Sequence, residues 1–288
     1  MEKAITVKSI LFCLLASQIV VAQRDQKDAV KTKPFVLRVI DEIQSVGLSE
    51  KRILIIYLPE GYNRNDTTKY PVVYLLDDSA DEDFIHIVGL YQFNSFPWIN
   101  RVSRSITVGI ATVDRRRDFT YPTTIEKDKA KYPTTGKSAN FISFLEHELQ
   151  PFIEKTYKAD SSKTLIGQSL GELLATETLL TKHSLFNNYI IVSPSLWWDN
   201  GSLLKRSSEI LVSNFNRNIN AYISVGKEGL VPGDNPRVME VDNNLVAEKI
   251  KSSKSKAVTV FFDYLPQENH TTILHQAVFN ALRCLNPG

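Results

Sequence analysis

Hydrophobic and polar positions change period along this chain, and each change marks an element. Residues 52–58 form an apolar run that ends at the turn signal Pro59-Glu60-Gly61, and residues 36–40 precede it as a shorter candidate strand. Residues 71–76 and 106–111 are apolar without alternation, the mark of strands covered on both faces, as in a parallel sheet. Between 139 and 157 the spacing turns helical, with Phe141, Phe144, Leu145, Leu149, Phe152 and Ile153 on one face. Pro151 falls inside that pattern. It has no N–H, and its ring meets the carbonyl four residues back, so the helix should kink or split there.

From residue 163 onward, strand and helix patterns alternate. Residues 163–166, 189–192, 221–225 and 258–262 read as strands; 172–182, 238–251 and 271–285 read as helices. Alternation of this kind predicts a mostly parallel central sheet with helices on both faces. No repeat, linker or low-complexity tract divides the 288 residues, so one domain over 35–288 is the simplest organisation. A core of that size needs no disulfide or metal staple.

Composition narrows the function by exclusion. A formal net charge of +2 gives no ground for nucleic acid or an anionic membrane as partner. The basic cluster Arg115-Arg116-Arg117 is flanked by Asp114 and Asp118, and reads as an ion-paired loop rather than a phosphate site. Residues 1–22 carry the pattern of a signal peptide: Lys3 and Lys8, an apolar stretch too short to span a bilayer, and the small-residue end Val20-Val21-Ala22. Cleavage there would export the protein to the periplasm or medium with no stable membrane anchor, led by a polar, flexible 23–34. Only Cys284 then remains, which excludes an internal disulfide, and its apolar helical neighbours make it a packing residue. No Cys/His cluster has metal-ligand spacing, so neither a metal nor another cofactor is called for.

The chemistry concentrates at Gly167-Gln168-Ser169-Leu170-Gly171. This G-x-S-x-G follows a strand and opens a helix, the context of the nucleophile elbow of α/β-hydrolases. Such a turn strains the serine backbone, and the glycines let neighbouring chain pass closely. A serine hydroxyl is a poor nucleophile without a base. In α/β-hydrolases the chain order is serine, acid, histidine, which leaves His270 and His275. His270 lies in a polar loop between the last strand and last helix and is the base of choice; His275, a turn inside the helix, packs or faces solvent. The acid should follow a strand between serine and histidine. Glu228, after strand 221–225, is the first choice and Asp234 the second; a Ser–His pair without an acid also stays open. The N–H of Leu170 should give one oxyanion donor, and the loop at Asp77-Asp78-Ser79 the other.

Several segments together resemble the esterase family of α/β-hydrolases related to enterochelin and other siderophore esterases, and more distantly to esterase D. They are Ser49-Glu50-Lys51-Arg52 with Tyr57-Leu58-Pro59-Glu60-Gly61-Tyr62, Pro71 through Asp77, and Gly109-Ile110 with the arginine-rich loop Asp114 to Thr120. Phe144-Leu145-Glu146 to Pro151-Phe152-Ile153 precedes the elbow as in the family, and Ser193-Pro194-Ser195-Leu196-Trp197-Trp198 is the most specific match. The resemblance spans about 35–285. It implies a serine hydrolase that cleaves carboxylic esters through an acyl-enzyme, with Ser169 and His270 carried over, Glu228 less directly, and the 193–198 loop lining the site. Trp197 and Trp198 would stack on an aromatic or sugar substrate, or pack in the core. Two departures stand out: Asp78 and Glu172 occupy positions that are usually glycine in the family. They motivate two alternatives, a catalytically weak or dead protein that binds a sugar or siderophore, and an acyltransferase. The ester itself, whether siderophore, acylated carbohydrate or simple acyl ester, is not named by the sequence.

Overall fold

The computed structural model describes residues 36–77, 83–231, 236–253 and 255–286. All elements below belong to the compact unit Leu37–Gly288. The expected signal peptide over 1–22, the lead-in over 23–34, Asp78 and Asp234 lie outside the described residues.

Eight strands make one sheet. β1 (Val39–Ser45) and β2 (Glu50–Tyr57) form an antiparallel hairpin, and β2 pairs antiparallel with β4 (Ile106–Ile110). From there the sheet is parallel: β4, β3 (Tyr70–Leu75), β5 (Ala159–Gln168), β6 (Asn188–Val192), β7 (Ile219–Gly226) and β10 (Val258–Leu265). The short β8 (Leu230–Val231) and β9 (Arg237–Val238) pair apart from it.

The unalternated run in β3 is explained by its two neighbours. Val72 and Tyr74 enter one apolar cluster, Val73 and Leu75 the other. One face is covered by α1 (Asp83–Asn94) and α8 (Ile273–Leu285). The other is covered by α4 (Ser138–Phe144), α6 (Leu170–Thr181) and α7 (Met239–Lys251). α6 is buried on all sides, and its threonines return their hydroxyls to carbonyls four residues back rather than seek water. α1 is not among the elements expected from the sequence, although Phe84, Ile87, Val88 and Tyr91 fall at helical spacing and are all buried.

Pro151 is accommodated by a widened turn in a helix that continues through it. α4 runs into a wider turn, Leu145–Leu149, and then into α5 (Gln150–Thr156), where Pro151 sits in the first turn. The extra residue in the π-type turn relieves the clash and removes the need for the missing N–H. The arginine-rich segment is not a loop but a short helix, α2 (Arg115–Phe119), capped by Asp114, whose carboxylate accepts from the Arg117 N–H at 3.0 Å. A second short helix, α3 (Glu126–Lys131), follows it.

Parallel pairing has one consequence that decides the rest. Leu75 lies beside Ile166, Gln168 beside Val192, Val192 beside Ser224, and Gly226 beside Leu265. The carboxyl ends of β3, β5, β6, β7 and β10 therefore meet along one edge, and the loops that leave them converge.

Candidate active site

Each of those loops brings one chemical group. Ser169 leaves β5 and opens α6 with φ 63 and ψ −116, a conformation that non-glycine residues enter at a cost of roughly 1–3 kcal/mol. It persists because both flanks are fixed. The Ser169 N–H donates to Val192 O at 3.3 Å, and its carbonyl accepts from Leu173 and Ser195 N–H, each at 3.1 Å. The glycines are there for space: a Cβ on Gly167 would lie 3.2 Å from Leu76 Cβ, and one on Gly171 3.4 Å from it. Leu170 is the first residue of α6, so its N–H has no acceptor within the helix and carries the helix's positive end.

His270 follows β10. Its carbonyl accepts a hydrogen bond from the Gln168 side-chain amide, next to Ser169. Its Nδ1 lies 2.7 Å from Glu228 Oε2. Glu228 follows β7, and its side chain is only 5% exposed against 41% for His270. Burial alone would push the Glu228 carboxyl up, but hydrogen bonds from His270 and Ser193 outweigh burial and hold it below the usual carboxylate range. The turn that carries Glu228 is itself anchored. Glu240, in the first turn of α7, accepts from the N–H of Glu228 at 3.0 Å and of Gly229 at 3.0–3.1 Å.

Gly226 joins the acid and base loops. The Lys227 N–H donates to Glu268 O at 2.8 Å, and a Cβ on Gly226 would stand 2.8 Å from that same oxygen. Gly226→Ala is therefore expected to push the 268–270 segment away and cost activity about 100-fold, with a much smaller effect on melting temperature. Steady-state kinetics beside a thermal melt checks it, and unchanged kcat/KM would sink the idea.

Two clefts meet here, and Ser169 and His270 line both. The larger, about 570 Å³, is walled by Leu75, Leu76, Asp77, His86 and Arg115. The smaller, about 360 Å³, is walled by Ser195, Trp197, Lys227, Leu230, Val231 and Met239. Trp197 thus faces a cleft. Trp198 does not: it is 2% exposed and its indole N–H donates to Tyr121 O at 2.9 Å, so it packs in the core instead of binding substrate as the sequence suggests. The two rings still touch edge to face, with centroids 6.3 Å apart, Trp198 on the core side and Trp197 on the cleft side. His275 is exposed on α8, its ring edge-on to His86. Cys284 is half-buried and packs against the α1/α8 face.

The arginine cluster is ion-paired as read. Arg117 bonds Glu50 and Asp118, Arg115 bonds Asp77, and Arg116 lies over the Tyr132 ring at 4.2 Å. Asp77, at φ 57, turns its other carboxylate oxygen to the Thr112 hydroxyl at 2.7 Å.

Glu172 is fully buried and lines neither cleft, so it does not crowd the substrate space. Neither of its carboxyl oxygens has a well-formed hydrogen bond among the described residues, and the nearby Gly167 N–H offsets its burial only in part. Burial pushes this carboxyl well above its ordinary value. A raised carboxyl favours the folded state fully only below the unfolded value, about 4.3. Stability is then lost as pH climbs from there toward the folded value. Glu172→Met is expected to melt higher than the parent at pH 8, with the gap closing toward pH 4; a gap that is constant in pH would overturn this.

The family model described as "Putative esterase" matches residues 45–266, more than three quarters of the chain. This chain belongs to that esterase family. The esterase is 29% identical over 254 residues to the ferri-bacillibactin esterase BesA of Bacillus subtilis, an alignment that covers 82% of this chain and 85% of BesA. Among solved structures it resembles an IroE-like serine hydrolase from Shewanella oneidensis, with TM-score 0.73 and 29% identity over 86% of this chain and 80% of that one. The BES protein from Bacillus cereus gives TM-score 0.73 and 26% identity over 89% and 98%. The esterase has the α/β-hydrolase fold and is a carboxylic ester hydrolase that acts through a serine.

Proposed function

We propose that Ser169, His270 and Glu228 are the nucleophile, general base and acid of this esterase. The observation that carries the proposal is the shared position of Ser169 and His270 on the walls of both clefts, with Glu228 on the far nitrogen of His270. His270 takes the Ser169 proton through Nε2 as the serine oxygen attacks the ester carbonyl. Glu228 holds Nδ1–H and stabilises the imidazolium that forms. The Leu170 N–H, at the positive end of α6, receives the oxyanion. His270 then protonates the leaving alcohol, and a water activated by His270 releases the acid from Ser169. The two clefts give separate room to the acyl and alcohol portions.

The relatives named above point to siderophore esters as substrate, the class that BesA's name states. The half-exposed Trp197 beside the nucleophile suits an aromatic acyl group. The leader pattern in residues 1–22 extends the proposal to an exported enzyme.

The test uses the wild-type protein. Treatment with a fluorophosphonate, followed by peptide mass spectrometry, is expected to find the adduct on Ser169. Hydrolysis is then compared between a tri-catecholate lactone, a feruloyl sugar ester and p-nitrophenyl acetate, with the lactone expected to show the highest kcat/KM. An unlabelled Ser169 with no turnover of any ester would refute the catalytic reading. A preference for the sugar ester would keep the mechanism and change the substrate.

A further inference from the structure

Ser193 begins the 193–198 segment, and nothing in the three-residue mechanism above uses it. It is completely buried, yet it adopts the left-handed backbone at φ 50. A serine in that conformation is unusual and needs to be held. Its N–H donates to Ser224 O at 2.8 Å, which extends the β6–β7 ladder by one more bond. That bond fixes the backbone, and the left-handed turn then aims the hydroxyl along the sheet edge toward the loop after β7. There the Ser193 hydroxyl donates to Glu228 Oε1. The same carboxylate presents its other oxygen, Oε2, to His270 at 2.7 Å. One carboxylate is thus gripped on both oxygens, by a buried hydroxyl on one side and the imidazole on the other.

The geometry points to Ser193 as a positioning residue for the acid: by holding one oxygen it fixes the plane of the Glu228 carboxylate so that the other oxygen stays aligned on His270 Nδ1. This rests on the proposed triad. A carboxylate on a turn has free rotation about its last bond unless something fixes it. The Gly226 N–H, at 3.4 Å from Oε1, is too distant to do so alone. The Ser193 hydroxyl is charge-assisted and has no competing water, because the residue is wholly enclosed. The same segment reaches the nucleophile. The Ser195 N–H holds Ser169 O at 3.1 Å, and the Ser195 hydroxyl lies 3.4 Å from the Ser169 hydroxyl. Two residues further on, Trp197 enters the smaller cleft. A single run of chain therefore spaces the acid, the nucleophile and the substrate wall, which gives a physical reason for so specific a motif.

The experiment is a double-mutant cycle on the full chain, read as kcat and KM for an alkyl ester. Ser193→Ala is expected to lower kcat about tenfold with KM changed less than twofold, since the loss falls on the acid and not on substrate contacts. Ser193→Gly removes the hydroxyl while easing the left-handed backbone, and should show the same loss; it serves if the alanine variant does not fold. Ser193→Cys, nearly isosteric and a weaker donor, should fall between. In a Glu228→Gln background, Ser193→Ala should cost less than twofold more. If Glu228→Gln lowers kcat but the Ser193 variants do not, or if Ser193→Ala costs the same in both backgrounds, the positioning role is overturned and the triad stands. If Glu228→Gln itself leaves kcat unchanged, the triad reading fails first.

Discussion

Alanine at Ser169 is expected to lower kcat on an alkyl ester by about 10⁶-fold, and glutamine at Glu228 by about 10⁴-fold. The two losses differ in kind. Without the Ser169 oxygen no acyl-enzyme forms, and only oxyanion donors and binding remain. Without the Glu228 charge all atoms stay in place, but the amide can turn its NH₂ toward Nδ1. That favours the imidazole tautomer with its proton on the wrong nitrogen, and Nε2 can no longer accept from serine. The 2.7 Å contact between Glu228 Oε2 and His270 Nδ1 is what makes this swap so damaging. Pre-steady-state kinetics separates the cases: a burst of alcohol should be absent from Ser169→Ala and slow in Glu228→Gln. A Glu228→Gln enzyme that keeps a tenth of its kcat would remove the acid from the 226–229 turn.

Asp118→Ala should cost about 3–5 kcal/mol of stability, because it strands a buried charge. Arg52 on β2 is 1% exposed, as is Asp118 on α2, and the two meet at 2.6 Å. Glu50 and Arg117 complete the network, and the guanidinium of Arg52 also lies over the Phe141 ring at 5.3 Å. The carboxylates of Asp118 and Glu50 hold the Arg117 guanidinium above its ordinary range. Removing Asp118 leaves the enclosed Arg52 with Glu50 as its one remaining carboxylate among the described residues. For a domain of this size the melting temperature should drop by roughly 10 °C. The network also ties α2 to the sheet, and α2 carries Arg115 on the wall of the larger cleft. Activity well below the melt should therefore fall through KM more than kcat. A thermal shift under 2 °C would show that the ion pairs contribute nothing net.

Much of this architecture is local, and local order is written in period and punctuation. Unalternated runs at 71–76 and 106–111 announce strands with neighbours on both faces, and β3 pairs in parallel with β4 and β5. Pro151 announces an irregular turn because its ring geometry does not depend on context. G-x-S-x-G announces a tight strand-to-helix turn because few residues other than glycine leave room beside Leu76. Chain order alone picks His270 over the earlier histidines, and the end of a strand picks Glu228. What the chain does not spell out is which loops face each other. The hydroxyl of Ser193 on Glu228, the carboxylate of Glu240 under the same turn, and the approach of Glu268 to Gly226 join residues separated by 12 to 42 positions, and no period encodes them. The same holds for the tryptophan pair. Adjacent in sequence, alike in chemistry and still in edge contact, they differ because the surrounding fold encloses Trp198 and bonds it to Tyr121, while Trp197 stands at the cleft. Sequence determined the elements and the reactive groups, since these follow from the conformations and side chains of neighbouring residues. Tertiary structure decided which groups meet, because parallel register, and not proximity along the chain, brings the carboxyl ends of the strands to one edge.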